Sequence, residues 1–271
     1  QLFYHLNEVY DAKKHVQAIL RLQPNSVPAL TLSGWLELSL AQNEIDGIKF
    51  NDPMCNQDPS EEFEAAGGFF ERAQATAGVK KDLEASMGQA KLALMQEKHK
   101  ESLDHLSQVI GTHAWFLPAL VEKSLVLLAM GDWEQSIETA QRVLQQAESE
   151  GGRGGGGARA GTIDALRVCA LYSLSQESDI KVAASKISEL SQALDRHEPM
   201  NAPLYHKVAR PFARLAGRAP AILSLTLGLT EKAVKLAPNK AEYAAEHAYQ
   251  LMLLDDYSNA QAMLKRATAM E

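Results

Sequence analysis

The chain has 271 residues, 46% of them apolar, 23% charged and only 6% aromatic, the proportions of a folded chain rich in small aliphatic side chains. With 27 Lys and Arg against 34 Asp and Glu, the formal charge is −7, which excludes nucleic-acid binding through bulk charge. No run approaches the ~18 apolar residues of a membrane span, so direct membrane insertion is not expected, and two distant cysteines outside any C-x-x-C pair, Cys55 and Cys169, suit a reducing compartment rather than a disulfide framework.

The chain opens at Gln1 in mid-pattern, without a methionine, and reads as an internal piece of a longer protein. Asp11, Ala12, Val16, Ile19 and Pro24 have the spacing of a helix that ends a repeat, and Leu30, Ser33 and Gly34 begin the next unit. Residues 43–60, polar and carrying Asp52-Pro53 and Asp58-Pro59, predict a loop inserted within that second unit. Glu61, Glu62, Glu64 and Glu71 read as the acidic bias of a helix start. Gln89, Ala90 and Ala93, then Ser102, Leu106 and Val109, make the next helix pair. Leu120, Ser124, Leu127 and Leu128 share a helix face, Gly131-Asp132 turns the chain, and Ile137, Ala140, Val143 and Leu144 form the answering face. Residues 149–161, with Gly151-Gly152-Arg153-Gly154-Gly155-Gly156-Gly157, predict a flexible loop between repeats. Residues 195–203 predict a third break, and Pro211 is expected to kink the following helix or mark its first turn. After Pro238, Ala241, Ala244, Ala248 and Leu251 make one helix, Asp256-Tyr257 turns, and Ala260, Leu264 and Ala267 make the last.

The second helix that opens Asp132-Trp133-Glu134-Gln135-Ser136 puts Ser136, Ala140 and Val143 at small and apolar positions; one 34-residue period earlier stand Ser102, Leu106 and Val109. On the first helix, Lys123, Ser124 and Leu127 step back to Gln89, Ala90 and Ala93. Small residues let helices approach, and large ones fill the layer between neighbours. This period and pattern define the tetratricopeptide repeat (TPR), with helices A and B in each unit. The predicted fold is therefore all-α, a TPR-type α-solenoid: a right-handed superhelix of antiparallel helix pairs, running as a single segment over residues 1–271. The approximate repeats are 1–26 (partial), 27–79 with the loop 43–60, 83–116, 117–148, 162–194, 203–240 and 241–271. A single repeat cannot bury both faces alone, so a contiguous stack fits better than separate domains.

No catalytic constellation is present: no Walker A loop, no G-x-G-x-x-G after a strand, no H-E-x-x-H. No catalytic, cofactor-binding or metal-binding residue is expected. The glycine run lacks a following Lys-Ser/Thr, so Arg153 reads as linker. His99, His105 and His113 match no zinc spacing. Cys169 sits at a packing position beside Ala170, and Cys55 has no basic neighbour to stabilise a thiolate. Lys207, Arg210, Arg214 and Arg218 are spaced three, four and four apart, so they share one face if residues 204–218 are helical. That face is either a cationic stripe for an acidic partner segment or a solvated face pairing with local acids. The outward positions of helix A are Val121, Leu125 and Leu128 in one unit and Ala245, Tyr249 and Met252 in another; they serve partner contact or packing between repeats. The candidate partner-binding residues are Lys207, Arg210, Arg214, Arg218 and Tyr249.

The runs Phe212-Ala213-Arg214-Leu215-Ala216-Gly217-Arg218, Thr226-Leu227-Gly228-Leu229-Thr230-Glu231-Lys232-Ala233, Leu236-Ala237-Pro238 and Ala241-Glu242-Tyr243-Ala244-Ala245-Glu246-His247-Ala248-Tyr249-Gln250 resemble the tetratricopeptide repeat protein 21 family. So do Ala165-Leu166-Arg167-Val168-Cys169-Ala170-Leu171-Tyr172 and the opening Ala18-Ile19-Leu20-Arg21-Leu22-Gln23-Pro24. The likeness spans most of the chain and is sharpest over residues 164–271. Members are much longer, so an internal fragment is implied; the glycine-rich insertion belongs to no pattern of the family. The resemblance implies a non-enzymatic structural subunit of intraflagellar transport complex A, acting in retrograde, dynein-driven ciliary transport and cilium assembly. Its implied partners are the other complex A subunits and neighbouring complexes in the transport train; its implied location is the cilium or flagellum, the basal body and the cytoplasm. No catalytic or binding residue carries over from the family.

Three other readings stand beside it. A chaperone-linked TPR clamp needs Lys and Asn on successive A helices, and the A helices at 83–96, 117–130 and 164–174 contain no Asn. A fragment of a TPR-containing enzyme would keep its chemistry outside this chain. A scaffold of another assembly, such as a ubiquitin ligase, is separated from the first reading only by its partners.

Overall fold

A computed structural model of the chain describes residues 9–49, 58–79, 81–149 and 156–270. Among the described residues there are thirteen helices and no strand. They are α1 (Val9–Leu22), α2 (Val27–Lys49), α3 (Ser60–Ala77), α4 (Leu83–Met95), α5 (His99–Thr112), α6 (Leu117–Ala129), α7 (Trp133–Ser149), α8 (Gly156–Ser175), α9 (Ile180–His197), α10 (Ala202–Leu215), α11 (Pro220–Leu236), α12 (Ala241–Leu253) and α13 (Tyr257–Thr268). The even-numbered helices are the A helices. The chain divides into two compact units, residues 1–119 and 120–271, with the boundary inside α6.

The turns from A to B are built alike. In three of them the first helix ends in a Schellman motif. Glu97 N–H donates to Leu94 O and Lys98 N–H to Ala93 O; Gly131 and Asp132 repeat this onto Leu128 and Leu127, and Asp255 and Asp256 onto Met252 and Leu251. The pivot residue has a left-handed backbone in each, with φ of 61° at Glu97, 77° at Gly131 and 61° at Asp255. The residue after the pivot is already the N-cap of the B helix, so the turn spends no residue on slack. Asp132 and Asp256 accept from the backbone N–H groups of Gln135 and Asn259 at 3.1 and 3.3 Å. Four residues beyond the cap comes a small side chain at the A–B contact: Ser102, Ser136 and Ala260, with Ala183 at the same place after the cap Asp179, all at or near zero exposure. Ser102 Oγ donates to Ala90 O and Ser136 Oγ to Ser124 O, both at 2.8 Å, one 34-residue period apart.

The passage from each B helix to the next A helix also repeats. Gln23–Ser26, His113–Phe116, Glu198–Asn201 and Ala237–Lys240 each close with a hydrogen bond from the fourth residue's N–H to the first residue's carbonyl. Arg72 donates to Pro24 O in the first unit and Arg266 to Pro238 O in the second, the same reach from a B helix back to the proline before its own repeat.

In the first unit the core is keyed by Phe70 of α3, which is fully buried among Leu30, Leu38, Ala66, Ala73 and Ala85 and meets Trp35 edge-on at 6.1 Å. The tip of its ring fills a slot left by Gly34 of α2 and Gly88 of α4; a Cβ on Gly34 would fall 2.5–2.8 Å from three ring carbons, and one on Gly88 would overlap the ring at the same Cε1 and Cζ carbons. In the second unit a continuous core runs through α8–α12, with Tyr205 and Phe212 of α10 buried among Ile187, Leu190, Ile222 and Leu229. The positions picked out by spacing are buried as expected at Val16, Leu106, Val109, Ala140, Val143, Ala244, Ala248 and Ala267.

Several boundaries differ from the sequence reading. Helix α2 continues to Lys49, so the insertion at 43–60 begins as helix; residues 50–57 lie outside the described residues. Helix α7 runs to Ser149 and α8 starts at Gly156, so residue 149 and residues 156–161 of the expected loop 149–161 are helical; residues 150–155 also lie outside the described residues. A glycine costs a helix only ~1 kcal/mol, which the packing of Ile163, Ala165 and Leu166 offsets further along α8. The break at 195–203 is only Glu198–Asn201. Pro211 is neither at the first turn nor a helix end: α10 runs through it, in a helix anchored by Tyr205 and Phe212. Ile19 and Leu264, expected in the apolar faces, are 46% and 41% exposed. They lie on the first and last described helices, which have fewer neighbours to cover them.

Candidate functional site

Among the described residues, no helix is long and apolar enough to cross a membrane and no three His, Cys, Asp or Glu side chains are placed to share a metal ion. His105 borders a cavity of about 80 Å³ with Glu71, Gln89 and Glu101. His113 shares a hydrogen bond with Thr112 Oγ1 and meets Trp115 edge-on. Cys169 is 5% exposed, and burial pushes its thiol up to about 11, so at neutral pH it is an apolar packing group. Cys55 and Arg153 lie outside the described residues.

The cationic residues are where chemistry gathers. Asn201 caps α10 by accepting from Leu204 N–H, and the helix then presents Tyr205, Val208, Ala209, Phe212 and Ala213 inward. This burial forces Lys207, Arg210 and Arg214 to the opposite side, where all three are exposed. Arg218 is exposed too, but it lies past the helix end, beyond Gly217, whose φ is 57°. The stripe is therefore three residues on the helix and one in the turn.

The neighbouring A helix, α12, supplies the answering groups. Arg214 forms a two-pronged ion pair with Glu246, Nη1 to Oε1 at 2.9 Å and Nη2 to Oε2 at 2.6 Å, and the carboxylate is only 6% exposed. Gln250 Nε2 donates to the same Oε1 at 2.9 Å. The guanidinium carbon sits 3.8 Å from the centre of the Tyr249 ring, a cation–π stack. Arg218 Nη1 is 3.4 Å from Asp255 Oδ1, which also accepts from Tyr257 Oη at 2.8 Å. Lys207 and Arg210 also interact within the chain. His206, one position before Lys207, is 7% exposed against the Tyr243 ring. Burial pulls its pKa below the usual value, Arg210 and Arg214 pull the same way, and Glu242 and Glu246 oppose them.

Tyr249, Ala245 and Met252 face outward on α12 as the spacing predicted, Tyr249 36% and Met252 43% exposed. Leu125 and Leu128 are half-buried, while Val121 is buried: it packs on Gly161 of α8, where a Cβ would fall 3.1 Å from its Cγ2. Sequence reasoning missed Glu246 and Asp255, the acids that hold Arg214 and Arg218. Their signal was present in retrospect: both lie on the next A helix and its turn, where opposite charges meet across repeats. A second concavity, about 820 Å³, opens in the first unit beside Ala77, Val79, Lys81, Leu83, Gln108 and His113.

Repeated antiparallel pairs, Schellman turns at their A–B corners and an outward A-helix face define a TPR-type helical-repeat scaffold. The profile described as the tetratricopeptide repeat protein 21 N-terminal ARM repeat matches residues 1–137, and that of the second ARM domain matches residues 185–271. The chain belongs to the tetratricopeptide repeat protein 21 family. It is 28% identical over 268 residues to human tetratricopeptide repeat protein 21B, covering 99% of this chain and 18% of that protein. It is 37% identical over 172 residues to the mouse protein of the same name, covering 64% of this chain and 12% of that one. The chain thus spans less than a fifth of the length of these relatives. Among solved structures, a chain of the APC/C hetero-tetramer Cut9–Hcn1 superposes with a TM-score of 0.60 at 11% identity, over 98% of this chain and 43% of that one, a likeness of fold alone.

Proposed function

We propose that this chain is part of a non-enzymatic structural subunit of intraflagellar transport complex A, acting in retrograde ciliary transport and cilium assembly. The observation that carries the reading is the family membership, supported by profile matches over residues 1–137 and 185–271. The architecture supports the scaffold part: its polar chemistry is spent on caps, turns and ion pairs between helices, and its exposed A-helix side chains are suited to holding proteins. The partners are the other complex A subunits and neighbouring complexes in the train, without nucleic acid or membrane insertion. The protein works in the cilium, at the basal body and in the cytoplasm. Affinity purification of the full-length protein from ciliated cells tests this. Recovery of the other complex A subunits in near-equal amounts is expected; recovery of a ubiquitin ligase or of chaperones in their place overturns the assignment.

A further inference from the structure

The α12/α13 repeat joins the repeat before it through α12, and a histidine stands at each of the two helix contacts. His206 of α10 is 7% exposed, its ring 4.8 Å from the Tyr243 ring of α12 and tilted 35° to it. His247 of α12 shares a 2.9 Å hydrogen bond through Nδ1 with Thr230 Oγ1 of α11, a residue with no exposure. One ring therefore bridges α12 to α10 and the other bridges α12 to α11. Tyr243 is also the point at which α12 enters the core that runs through the second unit.

Both sites are arranged for a neutral ring. At His206 burial is the largest influence, and Arg210 and Arg214 of the same helix repel a further positive charge. Glu242 and Glu246 of α12 act the other way. Glu242 Oε1 lies 3.7 Å from Nδ1, beyond hydrogen-bonding distance, on a side chain 48% exposed, and Glu246 is already gripped by Arg214 and Gln250. The result is a pKa below the usual histidine value. Tyr243, the titratable ring against it, is held neutral by burial and then by Glu242. At His247 burial leads again; Glu231 of α11 favours charge and Lys235 of α11 opposes it, and those two pair with each other at 2.7 Å. A charge on either ring is better accommodated once α12 has moved away and the ring faces water.

We propose that this contact is a pH-responsive joint: in mild acid, charge on His206 and His247 lets the α12/α13 pair open from α10 and α11 as a unit, ahead of unfolding in the rest of the second unit. Stacked repeats open in such pieces because each touches only its neighbours. Carboxylates stay ionised at pH 5.5, so the Arg214–Glu246 and Arg218–Asp255 pairs persist through the range in which the histidines respond. The folded pKa values lie below those of the open form, so the joint is at full strength above the ordinary histidine pKa and weakens as pH falls below it. At pH 5.5, about one unit below the ordinary value of ~6.5, an exposed ring is protonated about ten to one, so each histidine kept neutral in the closed form favours opening by up to roughly tenfold.

Hydrogen exchange of the 271-residue chain at pH 7.5 and 5.5, read by mass spectrometry and expressed as protection factors so that the intrinsic pH dependence of exchange cancels, tests this. Protection in α12 and α13 is expected to fall by roughly tenfold or more at pH 5.5, and in α8 and α9 by less than about threefold. With His206→Gln and His247→Gln together, the fall in α12 and α13 should shrink below about threefold, whatever the protection at pH 7.5. Each substitution alone should remove part of the fall, which keeps the test decisive where the double variant does not fold. Unchanged protection at pH 5.5, a fall of equal size across α8–α13, a fall that survives the double variant, or a full fall in both single variants overturns the joint. None of these outcomes depends on which complex the chain serves.

Discussion

The slot that holds Phe70 gives a prediction whose sign can be reversed. A methyl group added at Gly88 would overlap the ring, whose Cε1 and Cζ carbons also lie against Gly34, where an added Cβ would fall 2.5–2.8 Å from three ring carbons. Gly88→Ala should therefore overpack the site at a cost of about 1–3 kcal/mol. The same change raises helix propensity within α4, which returns ~1 kcal/mol. The net effect in the natural background is a loss of roughly 0–2 kcal/mol. Phe70→Ala alone should cost about 3–5 kcal/mol, since the ring is fully buried. In that background Gly88→Ala has nothing to strike, and it should stabilise the chain by ~1 kcal/mol. The coupling between the two sites is then about 1–3 kcal/mol. Urea denaturation followed by far-UV circular dichroism, fitted across all four proteins, measures it. The two compact units can unfold in separate steps, so the transition that moves with Phe70→Ala is the one to compare. An effect of Gly88→Ala that keeps its sign and size in both backgrounds, with coupling within ~0.5 kcal/mol of zero, refutes the slot.

Other outcomes follow from the turns and ion pairs. Glu97→Gly should stabilise the chain by up to about 1 kcal/mol by relieving a left-handed backbone, while Gly131→Ala should destabilise it by a similar amount; thermal melting reads both. Ser136→Ala removes the hydrogen bond to Ser124 O and should cost ~1 kcal/mol in the same assay, and Ser102→Ala should match it. Glu246→Gln should cost about 1–3 kcal/mol by unpairing Arg214, and Arg214→Ala at least as much, because it leaves a carboxylate at 6% exposure. For His206 and His247, burial leads in holding the folded pKa below the unfolded value, so the unfolded chain takes up protons first as pH falls. Stability should be full above the unfolded histidine pKa and decline as pH drops below it toward the folded values; melting temperatures from pH 7.5 to 5 check this, and His206→Phe should flatten the slope.

The helix pairs were legible because their cause is local and periodic. Ser102 and Ser136 show the 34-residue step directly, and the buried alanines at 140, 244 and 248 mark the helix faces without any tertiary knowledge. The pivots were less so: Gly131 announces a left-handed turn, but Glu97 and Asp255 occupy the same conformation without the residue that advertises it. The slot was not legible at all, since Gly34, Phe70 and Gly88 come from three helices and meet only after packing. The stripe was half legible. Spacing placed Lys207, Arg210 and Arg214 on one face, but it carried Arg218 onto a helix that ends at Leu215, and it could not show that Glu246 anchors Arg214.

The insertion in the first unit shows how a repeat absorbs foreign length. Arg266 reaches the Pro238 carbonyl across 28 positions, while Arg72 makes the same contact with Pro24 across 48, so the α2/α3 pair holds 48 − 28 = 20 extra residues. Some of them lengthen α2, which has 23 residues where α4 and α12 have 13, and none disturbs the contact. The contact survives because the repeat is fixed at two places, the A–B packing and the B-to-A turn, and the A–B corner between them is free to grow. The outward face of the A helices lies outside that frame: the core needs Tyr205, Val208, Phe212 and their neighbours on one side of α10, and Lys207, Arg210 and Arg214 stand on the other. The charges there are nonetheless tied to the neighbouring repeat, Arg214 by Glu246 and Arg218 by Asp255, so a change of charge on that face costs stability wherever it strands a buried partner such as Glu246.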